Sequence, residues 1–256
     1  MRIAVGIEYD GTAYNGWQRQ KTGLGVQARV EEALSSVADH DVEVTCAGRT
    51  DTGVHATGQV AHFDTTADRS DRSWLLGSNT ALPDDINLTW VRRVDDGFHA
   101  RFSATARRYE YRILNRLVRS ALHRHRAWWV HQPLDDRRMH DAAQQLLGEH
   151  DFSAFRAAGC QAKTATRELT AISVSRNGDW LTVDVTANAF LQHMVRNITG
   201  TLVAVGVGDE TADWVNMVLE SRDRTSGGVA APPHGLTLVE VRYPEALGLP
   251  LPTGDS

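Results

Sequence analysis

The sequence predicts an α+β fold with a largely antiparallel mixed sheet flanked by helices. Several short segments alternate between apolar and polar residues, as RIAVGIEY does at the start of the chain, and this pattern indicates strands. Segments with apolar residues three and four positions apart lie between them and indicate helices. Asn177-Gly178 joins two strand-like segments directly, which is typical of a hairpin. Hairpins in a mixed α and β chain argue against a doubly wound parallel sheet.

The first half of the chain alternates strands and helices. Ile3, Val5 and Ile7 share one face of a predicted strand, and a polar loop, DGTAYNGWQRQKTGLG, follows it. Pro83 ends a helix that is predicted to begin at Trp74. The predicted strands are 2–9, 42–47, 58–64, 86–94 and 108–114, and the predicted helices are 25–38 and 74–82.

The second half repeats this mixture. Pro133 and Asp135 open a predicted helix that Gly148 closes. Strands are predicted at 167–176, 180–187 and 236–243, a long helix at about 191–202 and a short one at about 211–221. We expect two domains, 1–105 and 106–244, followed by a loosely ordered, Pro/Gly-rich tail at 245–256.

Composition narrows the class of protein. The chain has 256 residues, enough for a proper core without a metal or disulfide. Its two cysteines, Cys46 and Cys160, form no CxxC pattern, so a reduced, cytoplasmic protein is the simplest expectation. The N-terminus has too short an apolar stretch for a signal peptide, and we expect no membrane span.

Charge is unevenly distributed along the chain. The net charge is −5, which by itself argues against a nucleic-acid binder. Between Arg101 and Arg126, however, there are eight arginines and a single acid, Glu110. Such a band either steers a polyanion or forms a solvated face balanced by acids elsewhere. The preference for arginine over lysine favours planar contacts to phosphate or carboxylate.

The segment GRTDTGVHA, residues 48–56, is the densest group of reactive side chains. Asp51-Thr52-Gly53 resembles the tripeptide of aspartic proteases, but that dyad needs a second carboxylate sharing a proton. The sequence has one copy, so a protease would have to be a homodimer in which this copy meets itself. Arg49, two residues earlier, would instead keep Asp51 ionised. The alternatives are a turn in which Asp51 bonds local amides, or an ionised carboxylate suited to attack on carbon. Asp51 and His55 are too few ligands for a metal site.

Two further segments combine aromatic or apolar side chains with arginine. In SATARRYEYRIL, Tyr109 and Tyr111 alternate with arginines, which suits either cross-strand packing or base stacking with phosphate contacts. In NAFLQHMVRNI an apolar helical stripe is flanked by polar residues. A buried Arg196 in that helix would need a carboxylate partner.

These segments together resemble the tRNA pseudouridine synthase A family over nearly the whole chain. The matching segments, in order, are IEYDGTAYNGWQRQ, AGRTDTGVHATGQVAHF, GFHARFSATARRYEYRI, HDFSAF and NAFLQHMVRNI. The family loop more often reads Thr-Asp-Ala-Gly-Val-His, so Thr52 is a departure from it. The resemblance implies a pseudouridine synthase-like fold, with two similar α/β halves around a central catalytic cleft.

The resemblance also implies a reaction. The enzyme would break the N1–C1′ bond of a uridine at positions 38–40 of the tRNA anticodon stem-loop, turn the base and rejoin it through C5. Asp51 matches the catalytic aspartate and Arg196 the arginine that pairs with it. Tyr109 matches the tyrosine that stacks on the target base, and Arg49 the arginine that helps displace the base. His55, Arg107 and Arg108 are the further candidates for substrate binding.

The resemblance implies partners as well. We expect a homodimer with tRNA lying across both subunits, so that two arginine bands share one surface. An isomerisation needs no cofactor, and none is expected, nor any metal. The alternative function is a non-catalytic RNA-binding module of the same fold. An intact set of Arg49, Asp51, Tyr109 and Arg196 argues against that alternative.

Overall fold

A computed structural model describes residues 1–20 and 23–250 of the chain. Contacts divide the protein into two compact units. Unit 1 comprises residues 1–106 together with the segment from Leu238 onward, and unit 2 comprises residues 107–237. Of the predicted loosely ordered tail, residues 251–256 lie outside the described residues, and Glu245–Leu247 form a single 3₁₀ turn.

The described residues form ten strands and five α-helices. The strands are β1 (Arg2–Tyr9), β2 (Thr45–Cys46), β3 (His55–Asp64), β4 (Ile86–Val94), β5 (Ala106–Asn115), β6 (Trp128–Val130), β7 (Gly148–Asp151), β8 (Thr166–Asn177), β9 (Trp180–Ala187) and β10 (Leu236–Arg242). The helices are α1 (Val26–Ala38), α2 (Asp71–Ala81), α3 (Asp136–Ala143), α4 (Met194–Val207) and α5 (Trp214–Ser221). No helix in the described part of the chain is long and apolar enough to cross a membrane.

Unit 1 is built on the strand order β4-β1-β3-β10, with β2 added alongside β3. β1 pairs antiparallel with both β3 and β4, which places Val5 opposite Ala61 on one side and Val91 on the other. α2 begins where the Ser70 hydroxyl accepts the Ser73 N–H at 3.1 Å. Its fully buried Trp74 packs edge-on against Phe63 of β3, with ring centroids 5.2 Å apart. This packing fixes the helix on the sheet.

Unit 2 is built on the strand order β5-β9-β8-β7, and its pairs are antiparallel apart from β6, which runs parallel to β5. α3 packs on β8 and on α4. α4 is buried on almost every side, including Ile198 and Leu202, because its sequence is apolar around most of its circumference. The predicted α+β class with a largely antiparallel sheet is confirmed.

Several predicted boundaries are wrong. The helix expected to run to Gly148 ends at Ala143, and a 3₁₀ turn over Gln144–Leu146 leads directly into β7. The strand expected at 42–47 pairs only over its last part, as β2. The hairpin turn lies one residue later than predicted, because Asn177 pairs with Trp180 and leaves Gly178, at φ +58°, and Asp179 in the turn.

Candidate active site

The Asp51 loop, residues 48–54, connects β2 to β3 within unit 1. It is a tight structure, in which the Val54 N–H donates to the Asp51 carbonyl at 3.1 Å and Gly53 has φ +77°. Asp51 is half-buried, and Arg49, two residues before it, is exposed. The loop therefore holds its carboxylate at the edge of unit 1, with a guanidinium close to it in the chain.

A second loop, residues 10–17, packs against the Asp51 loop through backbone hydrogen bonds. The Trp17 N–H donates to the Thr50 carbonyl at 3.0 Å, and the Gly53 N–H donates to the Tyr14 carbonyl at 3.3 Å. Gly16 has φ +87°, and a Cβ there would lie 2.5 Å from the Thr50 oxygen. Only glycine allows the two backbones to approach so closely. Part of the polar loop predicted after β1 thus packs directly against the Asp51 loop.

Tyr9 anchors the same loop to the sheet. Its hydroxyl lies 2.8 Å from the Oγ1 atom of Thr50, and both side chains are buried. A buried hydroxyl pair of this kind costs free energy when either partner is lost, so it fixes the residue next to Asp51. No local pattern indicates this contact, because Tyr9 and Thr50 are 41 positions apart in the chain.

His55 follows the loop and is buried, with 2% of its surface exposed. Its Nδ1 atom accepts the Gly11 N–H at 3.0 Å, and Oδ1 of Asp10 lies 3.0 Å from the same nitrogen. We assign the hydrogen bond to Gly11, because its N–H already points at the Nδ1 lone pair. His55 therefore joins the two loops of unit 1.

In unit 2, Tyr109 lies on β5 and points to the buried face. Its ring is only 7% exposed and meets Phe190 edge-on, with centroids 4.9 Å apart. Arg107, on the same strand, is 8% exposed and donates to the Asn188 carbonyl at 2.9 Å.

Arg108 points to the opposite face of β5 and is held by two acids. Its Nε and Nη2 atoms donate to Oδ2 of Asp184 at 2.8 and 2.5 Å, and Nη2 also reaches Glu110 at 3.0 Å. Asp184 and Glu110 face each other across β5 and β9. Two carboxylates thus balance the Arg108 charge inside unit 2, which favours a structural role for this arginine.

Arg196 lies in the first turn of α4. Its Nε atom donates to the Ala231 carbonyl at 2.7 Å, and the Ala231 N–H returns a bond of 3.0 Å to the Arg196 carbonyl. Burial raises the pKa of the nearby Tyr111 phenol, and the Arg196 charge opposes that rise. His193, the residue directly before α4, has φ +63°, a conformation that is uncommon outside glycine. The backbone of Ala231 therefore holds both the side chain and the main chain of Arg196.

Comparisons with known proteins decide the family. The family described as tRNA pseudouridine synthase matches residues 6–103 and 142–244. This chain belongs to that family. A tRNA pseudouridine synthase A from Pseudoalteromonas atlantica is 56% identical over 250 residues, which cover 98% of this chain and 95% of the relative. One from Coxiella burnetii is 54% identical over 254 residues, which cover 99% and 97%. One from Shewanella amazonensis is 56% identical and covers 98% and 96%.

Membership of the tRNA pseudouridine synthase family confirms the resemblance that the sequence motifs indicated. The protein is accordingly an isomerase that acts on tRNA. The Asp51 loop lies inside the first matched range, and Arg196 lies inside the second, whereas Tyr109 falls between the two. Thr52, the departure from the usual family loop, is exposed, so a threonine there meets no packing constraint.

Proposed function

We propose that this synthase converts uridine to pseudouridine at positions 38–40 of the tRNA anticodon stem-loop, with Asp51 as its essential carboxylate. The observation that carries the proposal is a family match that includes the Asp51 loop, together with the rigid mounting of that loop on Tyr9 and Gly16. Catalytic carboxylates work best when the surrounding structure fixes their geometry in advance.

The reaction is an isomerisation in which all atoms are conserved. The N1–C1′ bond of uridine breaks, the base turns, and a C5–C1′ bond forms. The proton on C5 leaves, and N1 takes up a proton. Asp51 acts in its ionised form, whether it attacks C1′, attacks C6 or removes a ribose proton. No external reductant, oxidant or energy source enters this balance.

The other proposed roles follow the family pattern. A uridine in a stem hides its glycosidic bond, so it must leave the stack at a cost of a few kcal/mol. Arg49, exposed beside the loop, fills the space that the base vacates and contacts phosphate. Tyr109 stacks on the flipped base, and Arg196 supports the ionised state of Asp51. His55 acts within unit 1, and Arg107 and Arg108 act within unit 2, by holding the segments that they contact in place.

The proposed assembly is a cytoplasmic homodimer. Pairing two copies would place two arginine bands on one tRNA, which concentrates positive charge on the binding surface although each chain has a net charge of −5. Arg101, Arg112, Arg119 and Arg124 are exposed members of that band.

The test is tritium release from unmodified tRNA carrying [5-³H]uridine, because forming the C5 bond must expel that hydrogen. Wild type should release it, and Asp51→Asn should not, while both bind the tRNA. Asp68→Asn is the matched control, since Asp68 is an exposed acid of unit 1 that pairs only with Arg93 among the described contacts.

Substrates with cytidine at positions 38, 39 and 40 test the proposed target. Release should disappear when all three uridines are replaced and return when any one is restored. No release from wild type on any anticodon stem-loop would refute the enzymatic proposal and favour the RNA-binding module.

A further inference from the structure

Phe102 is an exposed aromatic residue in unit 1 with no role in the chemistry described above. Of its surface, 76% is accessible, although phenylalanine is normally a core residue. Its neighbours in sequence, Arg101 and Ser103, are polar. Exposure of a single apolar side chain is common on protein surfaces and is not by itself evidence of a partner, so a role for this ring depends on how it is held and on what lies beside it.

The ring is the outer member of an aromatic stack that reaches into the core. Phe102 lies over His99, with centroids 4.3 Å apart and planes 36° apart. His99 in turn contacts His62 at 4.8 Å, and His62 meets Phe98 edge-on at 5.9 Å. Phe98 and His62 are buried. The Phe102 ring is therefore packed on His99 and remains 76% exposed.

The backbone of this segment is tied at nearly every residue. Nδ1 of His99 accepts the N–H groups of both Arg101 and Phe102, at 3.2 and 3.3 Å. The Ala100 N–H donates to Nδ1 of His62 at 3.1 Å, and the Tyr243 hydroxyl donates to the Ala100 carbonyl at 2.6 Å. An exposed ring on a fixed backbone loses little entropy when it binds, so it is preorganised for a ligand.

The packing beneath the ring leads to the strand that precedes the Asp51 loop. The Arg101 guanidinium carbon lies over the Phe102 ring, 5.7 Å from its centroid. His62, the inner histidine of the stack, lies on β3 and pairs with Thr45 of β2. Cys46 ends β2, shortly before the Asp51 loop. The ring is thus connected by packing to the strand that leads into the loop of Asp51 and Arg49.

We propose that Phe102 is a substrate-binding residue whose exposed ring stacks on the base of a nucleotide adjacent to the target uridine. A flat ring beside guanidinium groups is the arrangement by which proteins hold single bases while contacting phosphates. Holding the neighbouring base would oppose the return of the flipped uridine to its stack. The inference rests on the proposed tRNA activity and deepens it.

Substitution of Phe102 separates stacking from simple apolar contact. Phe102→Leu keeps the apolar surface but removes the π face, and kcat/KM should fall about five- to hundredfold. Phe102→Trp should stay within about threefold of wild type, since indole stacks at least as well. Leu76→Ala is the matched control, because Leu76 is an exposed apolar residue on α2, and it should behave as wild type.

A fluorescent base tests the contact directly. Stem-loop RNA carrying 2-aminopurine one or two positions from the target uridine is added to Asp51→Asn protein, which holds the substrate unreacted. Quenching should appear at one of these positions and disappear in Asp51→Asn/Phe102→Leu. Equal quenching in both proteins would overturn the proposal.

Other outcomes also decide the question. If Phe102→Leu retains full kcat/KM while wild type is active, the stacking role is wrong and the enzymatic function stands. If Phe102→Leu changes the oligomeric state in analytical ultracentrifugation, the ring contacts a second protein copy instead. If wild type itself releases no tritium, the proposed function fails independently of Phe102.

Discussion

The Tyr9 hydroxyl and the Thr50 Oγ1 atom lie 2.8 Å apart and join the first strand of unit 1 to the residue that precedes Asp51. Both side chains are buried, at 4% and 7% exposure, so water cannot readily replace either partner. The position of the Asp51 carboxylate therefore depends on the buried hydrogen bond between Tyr9 and Thr50. This dependence can be measured, because the hydrogen bond can be removed without changing the shape of the ring.

Tyr9→Phe should lower the free energy of unfolding by about 1–3 kcal/mol, because the Thr50 hydroxyl loses a buried partner. It should also reduce kcat about 10- to 100-fold, since a small displacement of a catalytic group is costly. Tyr14→Phe is the control, as the Tyr14 hydroxyl donates to Asp85 at 2.6 Å and not to the Asp51 loop. Urea unfolding and tritium release give both quantities. A Tyr9→Phe protein that loses stability but keeps kcat would contradict the anchoring role.

Gly16→Ala should also disrupt the Asp51 loop, because the backbone at Gly16 lies against it. Alanine is strained at φ +87°, and its Cβ would meet the Thr50 carbonyl and the Asp51 backbone. Strain of this kind costs about 1–3 kcal/mol, and relief requires the Asp51 loop to move. Gly97→Ala is the matched control, because no atom lies within 4 Å of a Cβ at Gly97. Gly16→Ala should lose most tritium release and Gly97→Ala none, and equal activities would show that the close approach is unimportant.

The sequence predicted those elements whose signal is local. β1 was found from its alternation and α4 from its apolar spacing, because burial imposes these periods on neighbouring residues. β6 and β7 were missed. β7 reads GEHD and has no apolar alternation, and its strand character comes from pairing with β8. The α3 prediction ran too far because Leu146 and Leu147 continue the apolar stripe past the last helical turn.

In the candidate site as well, local motifs could be predicted from the sequence and contacts between distant segments could not. Its motifs identified the Asp51 loop and the family, because these residues are adjacent in the chain. The contacts that mount the loop join residues from distant segments, such as Gly11 with His55 and Tyr9 with Thr50. The exposure of Phe102 was likewise not predicted, since an aromatic residue beside a strand is ordinarily assigned to the core.

His62 should make folding sensitive to mild acid. Desolvation lowers the pKa of this buried histidine to about 4 from 6.5, with further lowering from Arg2 and His99. The unfolded chain therefore binds more protons between these two values. Stability is complete above about pH 6.5 and falls by up to about 3 kcal/mol as the pH approaches 4.

The measurement is the free energy of unfolding of wild type and His62→Asn from pH 4 to 7.5. Asparagine keeps an acceptor for the Ala100 N–H, so the variant should fold, and its curve should be flatter between pH 4 and 6.5. Asp64, which pairs with Arg2 and has a lowered pKa, loses its contribution only toward the acid end of this range. Parallel curves for the two proteins would exclude His62 as the source of the slope.

Arg108 should contribute little to tRNA affinity. Asp184 and Glu110 already balance its charge, and binding phosphate would require this partly exposed network to open. Arg108→Gln should therefore lower the free energy of unfolding by no more than about 1 kcal/mol and leave the tRNA Kd within about twofold.

Arg119→Gln is the comparison, because Arg119 is an exposed arginine of the same band in unit 2. If Arg119 contacts a phosphate, its loss should weaken binding and reduce the slope of log Kd against log salt by about 0.7–0.9. The slope for Arg108→Gln should equal that of wild type. A reduced slope for Arg108→Gln would mean that tRNA displaces Asp184 and Glu110 from this guanidinium, and Arg108 would then be a direct substrate contact.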